Sequence, residues 1–169
     1  MTDTAGDALW TWSLSTYAAP PVKEALLALQ NQFGAHIPLI LWAAHAASEG
    51  RGVSLDDARA ARADLSQLSA HTRALRDARR QLPMLAQRLP GGAREAAIAH
   101  IAEAEIALEQ LELAKLAEQR TRAGAGSPRE TLESNVGSAL KAAGLDLTKW
   151  DAKAAADALV NVLAAHFTA

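Results

Sequence analysis

The sequence predicts an all-α protein, a helical bundle with one long central helix and a C-terminal helical hairpin. Three observations carry that expectation. Apolar residues recur at three- and four-residue spacing nearly throughout, with no sustained strand-like alternation. Half of the residues are hydrophobic while only 4% are aromatic, so Ala, the best helix former, carries much of the apolar content. The interruptions fall at Pro and Gly clusters of the kind that punctuate helices.

The elements follow in order. A first helix starts after Asp7 as its cap and ends before Pro20. Pro20-Pro21 opens a second, with Val22, Leu26 and Leu29 on one face and Phe33-Gly34 as its stop. A third runs from Ile37 or Pro38 to Glu49, and Ile40, Leu41 and Trp42 among alanines imply burial on most faces. Ser54 to Asp57 resembles a capping box. One helix is expected from there, with Leu65, Leu68, Leu75 and Leu82 along its apolar edge. Pro83 kinks or ends it, and Leu89-Pro90-Gly91-Gly92 is a break. The longest helix spans Ala93 to roughly Arg122. Ile101, Ala104, Leu108 and Leu111 line one side of it, and Ile106 and Leu113 point elsewhere. Ser127-Pro128-Arg129-Glu130 is a full capping box with Pro at the first helical position. Leu132, Val136 and Leu140 form that helix's stripe, and Gly144 ends it. The last helix starts at Thr148, with Leu159, Val162 and Leu163 as its buried edge. The domain reading is a helical bundle over 1–122, a linker over 123–127 and a hairpin over 128–169. That hairpin docks on the same core or presents its stripe to something else.

At 169 residues one domain with a sizeable core is the default. There is no cysteine, which excludes disulfides, a thiol nucleophile and Cys-ligated metal. No run of eighteen apolar residues exists, and residues 1–8 lack a basic region followed by an apolar one, so a cytoplasmic protein with no membrane partner is expected. The net charge of −2 is unevenly spread. Residues 51–94 hold nine Arg against four Asp, residues 95–120 hold six Glu against two basic residues, and residues 121–169 hold five of each sign. Segregation of this kind marks either a binding face or a basic helix lying beside an acidic one.

No catalytic constellation stands out. The five histidines, His36, His45, His71, His100 and His166, include no pair at zinc-helix spacing, so no metal and no cofactor is expected. Carboxylate pairs such as Glu103 with Glu105 and Glu109 with Glu112 have a simple reading as a solvated helix face. Arg73, Arg76 and Arg80 share one face, opposite Leu75 and Leu82, with Arg79 beside them. That face suits a phosphate or an acidic partner, or else pairs with the Glu-rich helix. Aromatic interleaving and a base-reading helix are both missing, so nucleic acid is not the expected partner. Three of the four Trp, the only Tyr and one of two Phe fall between Leu9 and Gly50. Trp10, Tyr17, Gln30, His36, Trp42 and His45 are therefore candidates to line a small pocket.

Leu9-Trp10, Tyr17, Pro21-Val22, Ala28-Leu29-Gln30, Gly34 and Leu39 to Trp42 together resemble a family of small proteobacterial proteins with a domain of unknown function. The likeness covers roughly residues 8–82, including the Arg-rich end at Arg73 to Arg80. Two places depart from the family pattern. His36-Ile37-Pro38 stands where Asp-Val-Asn is expected, and His45 stands where a second Trp is expected. The resemblance implies a cytoplasmic helical protein and supplies no activity. The function expected is a non-enzymatic, adaptor-like interaction or regulatory protein that binds a protein partner, a second copy included. Its surfaces would be the Arg face, the hairpin, or both. The alternative is a small-ligand-binding protein or enzyme using the aromatic cluster.

Overall fold

A computed structural model describes residues 4–85, 87 and 91–168, and these are helical apart from turns and one two-residue bridge. Helix α1 (Ala5–Ala18) begins earlier than Asp7 alone implies. Thr4 is its cap. The Thr4 hydroxyl accepts from the Asp7 N–H, and the Asp7 carboxylate accepts from the Thr4 N–H in return. Helix α2 (Pro20–Phe33) opens on the proline pair and closes at Gly34, whose φ of 67° is left-handed. Helix α3 (Ile37–Ser48) buries ten of its twelve residues, as its composition requires.

The single helix expected beyond Ser54 is two. Helix α4 (Leu55–Asp64) starts at the Ser54–Asp57 capping box, and helix α5 (Ser66–Leu85) restarts after a turn at Leu65. Leu65 is buried at that turn. Burying one Leu is worth about 1.5–3 kcal/mol, which outweighs an interrupted helical hydrogen bond at about 1 kcal/mol. Pro83 does not end α5, which continues through it to Leu85. The break expected at Leu89-Pro90 lies outside the described residues, whereas Gly91 and Gly92 are already helical. Helix α6 (Gly91–Ala117) is the longest at 27 residues and stops short of Arg122. Leu113 is buried and Ile101 and Leu108 are half-buried, but Ala104 and Leu111 face solvent.

Strands β1 (Arg51–Gly52) and β2 (Arg122–Ala123) pair antiparallel. Gly124 N–H then donates to the Gly50 carbonyl at 2.8 Å. A Cβ on Gly124 would stand 2.8 Å from that same oxygen and 2.9 Å from Thr131 Cγ2, so only glycine fits. Helix α7 (Pro128–Ala142) has the capping box and first-position proline that Ser127 to Glu130 imply. Helix α8 (Trp150–Phe167) begins after Thr148, whose N–H and hydroxyl both donate to Asp146 in the preceding turn. Its buried edge is Ala152, Ala156, Leu159, Val160 and Leu163, so Val160 occupies the place expected of Val162.

The chain divides into two compact units, residues 1–63 with 113–169, and residues 64–112. In the first, α1 packs on α2 and α3, α3 on α7, α7 on α8, and α8 on α2. Five helices thus close a ring, and Leu26, Leu29, Ile40, Leu132, Leu159 and Leu163 are fully buried. Asn135 of α7 ties the ring to β1. Its Oδ1 accepts from Val53 N–H at 2.8 Å, and its Nδ2 donates to the carbonyls of Ala43 at 3.0 Å and Arg51 at 2.8 Å. The second unit holds α5 and most of α6, joined by polar side chains.

Candidate functional site

The Arg-rich face resolves into two roles. Arg76 Nε donates to Glu105 at 2.8 Å and its Nη2 to Glu109 at 2.7 Å, while Arg79 Nε donates to the other Glu105 oxygen at 2.8 Å. These two side chains therefore lie on the side of α5 that meets α6, not opposite its apolar edge, and Arg73 and Arg80 stay exposed. Of the Glu pairs of α6, Glu103 is exposed as a solvated face implies, but Glu105, Glu109 and Glu112 are not. Glu105 is buried, and Glu112 is 0% exposed with Oε1 accepting from the Thr72 hydroxyl at 2.6 Å. Burial alone would raise Glu105, but hydrogen bonds from Arg79 and Arg76 overcome it and hold the carboxyl below its ordinary value. Glu109 moves the other way, since its burial outweighs the attraction of Arg76.

The aromatic cluster is distributed over several elements. Trp42 is only 2% exposed within α3, while Trp10, Tyr17, Gln30 and His36 are half-buried on α1, on α2 and at the start of α3. Lys23 Nζ sits 5.6 Å above the Tyr17 ring. His45 is met edge-on by Trp12, with ring centroids 5.0 Å apart, and Trp12 in turn meets Phe167 at 5.7 Å. Trp12 and Phe167 were not among the pocket candidates, and Phe167 comes from the far end of the chain. Burial lowers the His45 pKa and so favours the neutral ring, Glu49 opposes that shift, and Arg51 adds to it. Among the described residues no group of three or more His, Asp or Glu could hold a metal ion.

A concave site lies elsewhere, along the outer side of α7 and α8. It is a groove of about 630 Å³. Val136, Gly137, Leu147, Ala156 and Val160 line it together with the charged residues Arg129, Glu133, Lys141, Lys153 and Asp157. Arg129 bonds Glu133 on its own helix and Asn161 across the groove, and Lys153 bonds Asp157 at 2.8 Å. Trp150 is 82% exposed and shares the helical stripe of Lys153 and Asp157, at i, i+3 and i+7. At Gly137, in mid-helix, an added Cβ would have no neighbour within 4 Å. The sequence offered one signal for this place, a lone glycine inside an otherwise regular helical stripe.

The fold and this groove define an all-α protein whose last two helices frame an open, charge-lined channel. The chain belongs to the family described as protein of unknown function DUF2390, whose profile matches residues 8–116. No curated protein and no solved structure matches it. Every residue lining the groove lies beyond the matched segment. Among the described residues, no helix is long and apolar enough to cross a membrane.

Proposed function

We propose that the chain is a non-enzymatic, adaptor-like interaction protein of the cytoplasm whose docking face is the outer side of the α7–α8 hairpin. Gly137 carries this reading. A glycine in mid-helix costs roughly 0.5–1 kcal/mol relative to alanine. That cost is usually explained by a left-handed turn or a close neighbour, and Gly137 has neither. Here it leaves room above an apolar floor that is rimmed by charges of both signs. Engagement of Arg76 and Arg79 within the second unit favours the hairpin over the Arg face as the contact surface.

The test is a photo-crosslinking residue placed at Lys141 and, in a separate protein, at Arg73, each irradiated in lysate of the source cells at low and high salt. A protein adduct from position 141 that disappears in Gly137→Leu supports the reading. Adducts from position 73 alone would move the contact to α5. No adduct from either position, together with a metabolite that raises the thermal midpoint, would favour the small-ligand alternative.

A further inference from the structure

We infer that the occupant of the α7–α8 groove is the same face of a second copy, in a two-fold symmetric dimer that crosses at Gly137. This rests on the reading of the hairpin as a docking face and adds the partner's identity. Glu133, Gly137 and Lys141 are spaced at i, i+4 and i+8, so they form one ridge along α7, and all three line the groove. The two charges are equidistant from the glycine and opposite in sign. When two copies of α7 cross antiparallel at Gly137, symmetry places Lys141 of each copy opposite Glu133 of the other. Two reciprocal ion pairs form from a single ridge, and the missing Cβ atoms let the backbones close at the axis.

Charge complementarity favours a second copy over a strongly acidic or basic partner. The segment 121–169 carries five charges of each sign, and the groove rim mixes Arg129, Lys141 and Lys153 with Glu133 and Asp157. Lys153 and Asp157 already neutralise each other, so the self-complementary pair is Glu133 with Lys141, in which Lys141 of the second copy joins Arg129 as a counter-charge to Glu133. Lys141 is exposed and makes no ion pair among the described residues, and its charge faces the groove. Val136, Ala156 and Val160 are already buried and form the groove's floor, so the contact itself falls to the Glu133–Gly137–Lys141 ridge and the half-buried Leu147. Two adjacent helices about 22 Å long and about 20 Å wide together present on the order of 450 Å² a side. That is about 900 Å² in all, below the roughly 1,200 Å² of stable complexes, so association in the micromolar range or weaker is expected.

Sedimentation equilibrium of the full chain, from about 1 µM to about 1 mM, tests the inference. Wild type should reach a dimer. Glu133→Lys puts Lys opposite Lys twice and Lys141→Glu puts Glu opposite Glu twice, so each alone should associate at least tenfold more weakly. An equimolar mixture of the two variants restores both attractive pairs, as does the double exchange within one chain, and both should dimerise like wild type. Gly137→Leu should block association without altering charge. Circular dichroism of each variant verifies that it folds, and Lys141→Glu, at an exposed position with no ion pair among the described residues, is the variant least able to disturb the fold. A wild type that stays monomeric to about 1 mM overturns the inference, as do reversals that weaken the dimer less than tenfold or a mixture that fails to recover. A photo-crosslinking residue at the exposed Trp150, which leaves Glu133, Gly137 and Lys141 in place, separates this inference from the broader reading. An adduct of twice the chain mass supports both, an adduct with a different protein overturns the dimer alone, and no adduct overturns both.

Discussion

Asn135 does more at the level of single side chains than any charged residue of the first unit. One N–H points at it and two carbonyl oxygens face its amide, so only one orientation of that amide satisfies all three. Replacing it with Ala leaves the buried Val53 N–H without its acceptor and removes the hydrogen bonds to the Ala43 and Arg51 carbonyls, each of the three worth roughly 1 kcal/mol. Asn135→Ala should therefore cost about 3 kcal/mol, which for a chain of this size lowers the thermal midpoint by roughly 6–12 °C. Asn135→Asp should be at least as damaging, because a carboxylate can accept from Val53 but cannot donate to Ala43 or Arg51. Recovery of the full midpoint in either variant would show that the amide is a bystander. His45 supplies the second prediction. Its folded pKa lies below the unfolded value of about 6.5, so the neutral ring belongs to the folded state. The stability it contributes is present above that pH and is lost as pH falls from there through the lowered folded pKa. Melting wild type and His45→Phe at pH 8 and at pH 5.5 should show a larger drop for wild type, and equal drops would remove His45 from the pH response.

Helix α5 and most of α6 form a pair with an ionic contact, the basic helix lying beside the acidic one that the charge segregation offered as one of its two readings. Arg76 is 14% exposed and bridges two glutamates, so Arg76→Ala leaves partly buried carboxylates without their counter-charge. The expected cost is about 2 kcal/mol. It should be read as faster amide hydrogen exchange along both helices. On acidification Glu109 takes up its proton first, which favours the folded pair because its folded pKa is raised. Glu105 acts in the opposite sense. Its support is present above the ordinary Glu range and is lost only as pH falls through its lowered pKa. Helix α7 carries the simplest substitution. Gly137→Ala adds a Cβ into open space, so in dilute protein it should stabilise the chain by roughly 0.5–1 kcal/mol. An unchanged or lower midpoint would mean that the space above Gly137 is already filled. What the sequence made legible here follows from how local each signal is. The caps at Ser54 and Ser127 and the stop at Gly34 depend on three or four neighbouring residues and could be read directly. The turn at Leu65 and the burial of Glu105 and Glu112 depend on another helix, and a row of charges at helical spacing looks the same whether it faces water or a partner. The groove escaped for that reason, since Arg129, Glu133 and Lys141 taken singly resemble an ordinary solvated face.

The first unit draws on two stretches far apart in sequence, which gives the family match a physical meaning. Residues 8–116 supply α1, α2 and α3, but the ring that buries them closes only through α7 and α8. Helix α3 shows why. An element with ten of twelve residues buried cannot leave a face uncovered, and α7 covers one of its sides while α8 covers α2. The near-continuous apolar run from Ile37 to Ala47 already implied neighbours on most sides; which segment would provide them was not written locally. A chain ended at Arg122 should therefore lose cooperative melting, bind a hydrophobic dye and aggregate, because the faces of α2 and α3 would lie open to water. Adding residues 127–169 as a separate peptide should restore the cooperative transition, since the Asn135 hydrogen bonds and the buried leucines of α7 and α8 need no covalent link to form. If the shortened chain melts cooperatively within a few degrees of the whole, the matched segment is a domain in its own right. The α7–α8 hairpin would then be an accessory to it, free to serve its groove alone. Failure of the shortened chain and rescue by the peptide would instead make the hairpin one structure with two faces. Its inner face would complete the core, and its outer face would carry Gly137 between Glu133 and Lys141.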